Sequence, residues 1–366
     1  MRVMINFLGR TNSGPGFTYE LANGFVKNGC EVHAILSNGI ENKEQWISNK
    51  SIKTLFIDTY SGKKDILINS IRFKIFQAKI INKHYNEIKF DMVIRTFFHP
   101  WAEEIDKLLR TDKIITICHD PIPHSNEPWI KRMLYKNHIM KSDDIIVLTK
   151  AFIEVVHERY KFSYDHIHYM PHGMLHVGQK KSTITIPYID GNINFLFFGR
   201  IQPYKGLPIT VEAFSILQKK YSNISLYIVG SGDISNVKKQ LDDLENVYIF
   251  NKYIPDEDIP AYFGLPNLVC VLSYIDATQS GVIPVAFEYK IPVIASNTGG
   301  LYEQLDDGKL GLLFENGNPE AMALQMQRLI NDPCLYQNEV KKIEGYLPKL
   351  EWENITKRLL YSLGEV

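Results

Sequence analysis

Short apolar runs rich in β-branched residues recur along the chain at 2–8 (RVMINFL), 31–36, 53–57, 92–94, 114–118, 145–148 and 167–170. They recur again at 193–198, 225–229, 247–250, 268–272 and 292–295. Between them the apolar positions take helical spacing, as in Tyr19, Leu21, Ala22 and Phe25 of a helix predicted over 17–28. Continuous apolar strands that alternate with amphipathic helices are buried on both faces, which is the pattern of parallel βαβ units. The series stops in a polar stretch without a period, 174–191, and restarts at 193. This predicts two consecutive Rossmann-like α/β domains with parallel sheets, 1–175 and 190–348.

The stretch 268–303 organises the second domain. It predicts a buried strand, a polar loop over 273–280, a helix of roughly ten residues opening at Ser280-Gly281, a further strand, and a loop broken by Gly299-Gly300. Ligands of open α/β sheets bind outside the carboxyl ends of the strands. Thr278, Gln279 and Ser280 then lead into backbone N–H groups at a helix start, a ready anion site with phosphate as the expected guest. In the first domain, the loop over 9–16 carries Gly14 and Gly16 between strand and helix, where another molecule can approach the backbone. The spacing is not that of a dinucleotide fingerprint, and a simple tight turn explains it equally well.

Composition narrows the class. The chain has 366 residues, 45% hydrophobic and 22% charged, and a net charge of zero, so nothing directs it to nucleic acid. Residues 1–190 hold 26 Lys and Arg against 20 Asp and Glu, and the remainder is acidic in equal measure, which makes the first half the one suited to an anionic surface. Cys30, Cys118, Cys270 and Cys334 have no metal-ligand spacing and read as buried free thiols. The first apolar run ends in glycine too soon for a signal peptide, and no run reaches the length of a membrane span, so a cytoplasmic protein is expected.

In NFLFFGRIQPYKGLP a strand runs into Gly199-Arg200, and Lys205-Gly206 precedes a helix with Pro208 in its first turn. The Arg fork and the Lys point charge on one loop suit a diphosphate, although two solvated loop charges would look the same. FFGRIQPYKGLPITVEAF resembles the GR…KG segment of the retaining nucleotide-sugar glycosyltransferases of family 4, which have the GT-B architecture of two facing Rossmann-like domains. LYIVGSGD, VYIFNKYIPDEDIPAYF and PVIASNTGGLYEQLDDGKLGLLFENGNPEAMA are similar to that family's next segments, in order. A weaker resemblance continues through CHDPIPH, SDDIIVLTKAF and IHYMPHG in the first half.

The resemblance implies a metal-independent, retaining transfer of a sugar from a nucleoside diphosphate, UDP favoured, to a glycan or polyprenyl-linked acceptor of a bacterial surface polysaccharide such as lipopolysaccharide or capsule. It implies no cofactor and no metal. Arg200 and Lys205 would hold the departing diphosphate after Gly199, and His119 would sit beside the sugar. Asn251 and Tyr253 belong to the turn that would meet the base. Ser280 and Gly281 would offer amides to phosphate or sugar, and Gly14 and Gly16 would approach the donor from the other domain. The family's two glutamates, eight positions apart, fall at Ala277 and Val285; Asp276, Glu288 and above all Glu303 are the substitutes. His172 is expected at the hinge, and His99 at acceptor or core. A catalytically silent partner subunit and a sugar-nucleotide epimerase are the alternatives.

Two further helices carry predictions. In 349–366, Trp352, Ile355, Leu359 and Leu360 form an apolar stripe, and the segment resembles the family's terminal helix that packs back on the first domain. Residues 63–89 combine Ile66, Leu67, Ile71, Phe73, Ile75, Phe76, Ile80 and Ile81 with Lys63, Lys64, Arg72, Lys74, Lys79 and Lys83. That reads either as an outer helix or as one lying in an anionic membrane surface, with peripheral attachment at the inner face of the cell membrane.

Overall fold

The computed structural model describes residues 1–60, 70, 73–122, 128–176 and 184–365, with the side chain of Lys74 left out. It divides into two units, Met1–Gly173 with Glu351–Val366, and Met174–Leu350.

The first unit contains β1 (Arg2–Phe7), β2 (Glu31–Ser37), β3 (Ile52–Ile57), β4 (Lys89–Phe90), β5 (Met92–Arg95), β6 (Arg110–Thr111), β7 (Ile114–Cys118), β8 (Asp144–Val147) and β9 (Ile167–Tyr169). Seven of these form one sheet in the order β3-β2-β1-β5-β7-β8-β9, all parallel, while β4 and β6 make a separate pair. The second unit is a six-stranded parallel sheet, β12-β11-β10-β13-β14-β15. Its strands are β10 (Ile193–Phe198), β11 (Ile224–Val229), β12 (Val247–Phe250), β13 (Leu268–Leu272), β14 (Val293–Ser296) and β15 (Leu312–Phe314). In each sheet the winding reverses once, between β1 and β5 and between β10 and β13, and the carboxyl ends of strands at such a reversal are where open α/β sheets bind ligands.

The glycine loop differs from expectation. The helix begins at Ser13 and runs to Lys27, so Gly14, Pro15 and Gly16 form its first turn. Proline is tolerated there because its missing N–H would lack an intrahelical partner anyway. Phe73 is also a correction: it is buried and stacks on Trp101 with centroids 4.9 Å apart, so it belongs to the core. Ile75, Phe76 and Ile80 stay exposed, whereas Lys63, Lys64, Asp65, Ile66, Leu67, Ile71 and Arg72 lie outside the described residues. Cys334 is exposed, unlike the other three cysteines.

The helix Trp352–Ser362 is built into the first unit. A Cβ on Gly24 would come within 2.6 Å of Trp352 O, so only glycine allows this approach to the helix Ser13–Lys27. Asn28 Nδ2 donates to Glu353 O at 2.8 Å and Thr356 Oγ1 at 2.9 Å, and the Trp352 ring meets Phe17 edge-on at 5.1 Å. Trp352, Ile355, Leu359 and Leu360 are all buried.

A buried ion pair sits under β5. Arg95 Nε donates to Asp106 at 2.6 Å and its Nη1 to His138 O at 2.8 Å, while Asn6 Nδ2 donates to the other Asp106 oxygen at 2.9 Å. The extra hydrogen bonds satisfy charges that burial alone would leave costly.

Ten of the chain's eleven histidines precede residue 174. Burial lowers His99, His119 and His172 to about 4 and His138 to about 3. Unfolded, they titrate near 6.5, so below that pH the unfolded chain binds more protons and stability falls as pH falls toward 4. The loss is about 1.4 kcal/mol per proton per pH unit at most. The four tryptophans, Trp46, Trp101, Trp129 and Trp352, all lie in the first unit and report on it. Their fluorescence should show a urea midpoint that drops steadily from about pH 7 to about pH 5. An unchanged midpoint would contradict the neutral buried imidazoles.

Candidate functional site: a buried lysine where the second sheet reverses

The loop leaving β10 turns on two glycines, both at positive φ and the second pressed against a neighbouring backbone. Gly199 has φ +100°, and a Cβ there would lie 2.8 Å from Lys205 Nζ. Gly206, at φ +66°, would put a Cβ 1.9 Å from Ser273 O. The Ser273 hydroxyl, just past β13, lies 2.8 Å from Gly206 O, 3.0 Å from Lys205 O and 2.7 Å from Thr210 Oγ1. Ile275 N–H donates to Tyr204 O at 2.7 Å. The two loops flanking the reversal are thereby held together, and Lys205 is carried between them.

Lys205 is buried, with Nζ 5.0 Å from the Tyr274 ring centroid. Among the described residues no carboxylate pairs with it. Burial lowers its pKa, and the nearby Arg200 charge adds to the effect against opposing contributions from Tyr204 and Cys270. A buried ammonium without a counter-charge is an incomplete electrostatic arrangement that an anion would complete. Arg200 itself is exposed one residue after Gly199, beside the mouth of the loop.

The Ser280 amide is a correction. Its N–H donates to Gln304 Oε1 at 2.7 Å and its carbonyl accepts from Gln304 Nε2 at 3.0 Å, so the backbone there is already engaged. The helix that follows is Val282–Glu288, seven residues, with Gly281 as its cap. A Cβ built on Gly281 meets nothing within 4 Å, which leaves open space beside that turn. Gly299, at φ +47°, would set a Cβ 1.8 Å from Ala277 O, and Gly300 N–H donates to the same carbonyl at 3.1 Å. Glu303 precedes Gln304 on the short helix Gly299–Gln304 and is half-buried. Ala277 and Val285, where the resemblance would put glutamates, are buried, and Asp276 is exposed.

Asn251 has a structural task. Its side-chain oxygen accepts from Gly232 N–H at 3.0 Å and its Nδ2 donates to Gly232 O at 2.9 Å. Gly230 and Gly232 in turn crowd the first loop: a Cβ on either would lie 2.1 Å from Gly199 O and 2.2 Å from Ile201 O, respectively. Sequence reasoning did not assign a role to Gly230-Ser231-Gly232, though the paired glycines after a strand were the available signal. Tyr253 is 57% exposed on the same turn, where its ring is accessible. Gln304 and Ser273 were also missed; nothing in their local sequence distinguishes them from other polar residues.

In the first unit, His119 follows β7 and stacks on Phe97 at 4.0 Å, with Phe17 edge-on at 5.2 Å. Its Nε2–H donates to Thr96 O at 2.9 Å, just past β5, so the neutral ring is fixed at the carboxyl end of that sheet. Gly14 packs on Phe7, whose ring a Cβ would approach to 2.9 Å, whereas Gly16 has nothing within 4 Å. Gly16 is therefore the open position of the two. His172 is buried against Phe17 at 5.2 Å with Nδ1–H donating to Gly173 O at 2.8 Å, and His99 stacks on Tyr60 at 5.2 Å.

The family model for glycosyl transferases group 1 matches residues 186–345, and that for glycosyltransferase family 4 matches 17–174. An uncharacterized glycosyltransferase of Haemophilus influenzae is 30% identical over 151 residues, 40% of this chain and 41% of that protein. The capsular polysaccharide biosynthesis glycosyltransferase CapM of Staphylococcus aureus is 28% identical over 45% of each chain. The chain thus spans under half the length of the curated relatives it matches. Among solved structures, Anabaena HepE in complex with UDP and glucose superposes with a TM-score of 0.71 at 13% identity, covering 99% of this chain and 100% of that one. The lipopolysaccharide glycosyltransferase WaaG superposes at 0.66 and 13%, covering 98% of each. These neighbours share the fold, GT-B. With its two halves matched in order by the two models, the chain belongs to the group 1 glycosyltransferases.

Proposed function

We propose that this protein is a retaining, metal-independent glycosyltransferase that moves a sugar from a nucleoside-diphosphate sugar, UDP favoured, to a glycan or polyprenyl-linked acceptor of a bacterial surface polysaccharide. The observation that carries the reading is Lys205, a buried cation without a carboxylate partner among the described residues, held at the reversal point of the second sheet. A diphosphate seated there would meet Nζ at once, with exposed Arg200 as a second, mobile contact. As the sugar–phosphate bond breaks, negative charge grows on the departing diphosphate, and a pre-placed cation stabilises the transition state more than the ground state. His119, neutral and fixed by Thr96, orients the sugar rather than supplying charge. Glu303 takes the ribose role in place of the absent glutamates. No cofactor enters the reaction.

The acceptor reading draws on relatives whose names place them in capsule and lipopolysaccharide synthesis. No described helix is long and apolar enough to cross a membrane, so a lipid-linked acceptor would be reached from the surface. The test is a thermal-shift panel of nucleoside diphosphates followed by mass-detected transfer onto candidate acceptors. UDP should give the largest shift, and turnover should survive a chelator. Binding of donor without transfer to any acceptor would favour the silent-partner alternative; loss of activity with chelator would overturn metal independence.

A further inference from the structure

Past β13, the loop segment 277–280 is pinned at both ends by the second unit itself. Ala277 O accepts from Gly300 N–H at 3.1 Å. The side chain of Gln304 takes both backbone groups of Ser280, at 2.7 and 3.0 Å, and so fixes the peptide that joins Ser280 to Gln279. The Ser280 hydroxyl lies 3.1 Å from Tyr274 Oη and accepts from Val282 N–H at 3.2 Å. The Tyr274 ring in turn lies 5.0 Å from Lys205 Nζ, so the segment is held beside the buried cation.

Within this segment Gln279 stands apart. It is half-buried, and its side-chain Oε1 is buried with no hydrogen-bond partner among the described residues. A buried acceptor left unpaired is destabilising, and an unpaired group of this kind calls for a partner from outside the protein. The chemistry of that partner follows from the atom. An amide oxygen accepts and cannot donate, so it needs an O–H or N–H. An ionised diphosphate offers acceptor oxygens only, whereas a sugar offers several hydroxyls. The carboxamide turns about a terminal torsion that is broad and roughly two-fold, and no protein hydrogen bond has to break for Oε1 to swing onto a hydroxyl. Ala277, Thr278, Gln279 and Ser280 include no carboxylate, so a contact made through Gln279 adds no negative charge beside a departing diphosphate. We infer that Gln279 reads the transferred sugar, its carboxamide oxygen accepting from a sugar hydroxyl of the donor. This rests on the transferase reading and deepens it by naming the residue that tells a sugar nucleotide from the bare nucleotide.

Isothermal titration calorimetry on the full chain, without acceptor, compares UDP and GDP with UDP-glucose, UDP-galactose, UDP-N-acetylglucosamine and GDP-mannose. The quantity read is the affinity for a sugar nucleotide divided by that for its own bare diphosphate, because changes at Lys205 or at the base cancel in it. For the best-bound pair, Gln279→Leu should lower that ratio about tenfold while leaving the bare nucleotide within about twofold and the thermal melt in place. Gln279→Glu keeps an acceptor oxygen and should retain most of the ratio. An unchanged ratio in Gln279→Leu overturns the inference and leaves the transferase reading standing. A loss shared equally by the bare nucleotide does the same, since it puts the contact on the nucleotide. Equal losses of the ratio in the leucine and glutamate variants would assign the effect to packing and overturn the acceptor role. Failure of every nucleotide in the panel to bind the unaltered protein would instead remove the transferase reading, and this inference with it.

Discussion

Replacing Lys205 with alanine lowers turnover by about 10²-fold or more, the scale on which one preorganised charge contact to a transition state is lost. The expectation comes from how rigidly the ammonium is held. Its backbone carbonyl lies 3.0 Å from the Ser273 hydroxyl, its neighbour Gly206 has no room for a side chain, and its Nζ occupies the space that a Gly199 Cβ would need. Such a group pays little reorganisation when charge develops on a leaving diphosphate. Arg200→Ala should cost less, because Arg200 is exposed and must be ordered before it helps. Steady-state kinetics on both variants with the preferred donor separates them. Equal, small effects in two folded variants would remove this loop from the reaction; a raised KM with unchanged kcat would make Lys205 a uniform binder instead.

Trp352→Ala destabilises the first unit by about 3–5 kcal/mol, the usual cost of deleting a large buried aromatic. Trp352 is 2% exposed; its ring packs edge-on to Phe17 and its carbonyl passes Gly24 too closely for any side chain. Phe17 also touches His119 and His172, so the vacated volume would sit directly behind those two imidazoles. Removing residues 351–366 altogether takes away Ile355, Leu359 and Leu360 as well and bares the face of the helix Ser13–Lys27. That truncation should be insoluble. Urea denaturation followed by tryptophan emission measures the point variant, with buried Trp46 and Trp101 still reporting. A soluble truncation with full activity would show that the terminal helix is dispensable.

The sequence by itself determined the alternation of strands and helices, because a strand buried on both faces must be continuously apolar and its covering helix must be amphipathic. It also placed glycines in the loops at Gly199, Gly206 and Gly299, but that no Cβ fits at Gly206 and Gly299, or at Gly24, Gly230 and Gly232, follows from contacts with other segments of the chain. The strand β15 was not recognised, nor were the two-residue strands β4 and β6. Tertiary structure alone decided which polar groups were already spent. Ser280 looked like an open helix start until Gln304, 24 residues away, was seen to occupy its amide, and the Asn251 side chain is taken up by Gly232, a partner 19 residues away. It also decided that Phe73 turns inward onto Trp101 while an apolar arc of the helix Trp129–Met140 turns outward. Periodicity identifies a helix and its apolar residues, but which arc meets the sheet depends on how the whole chain fills the space above that sheet. Hydrogen-bond partners distant in sequence are likewise set by topology, and no local pattern encodes them.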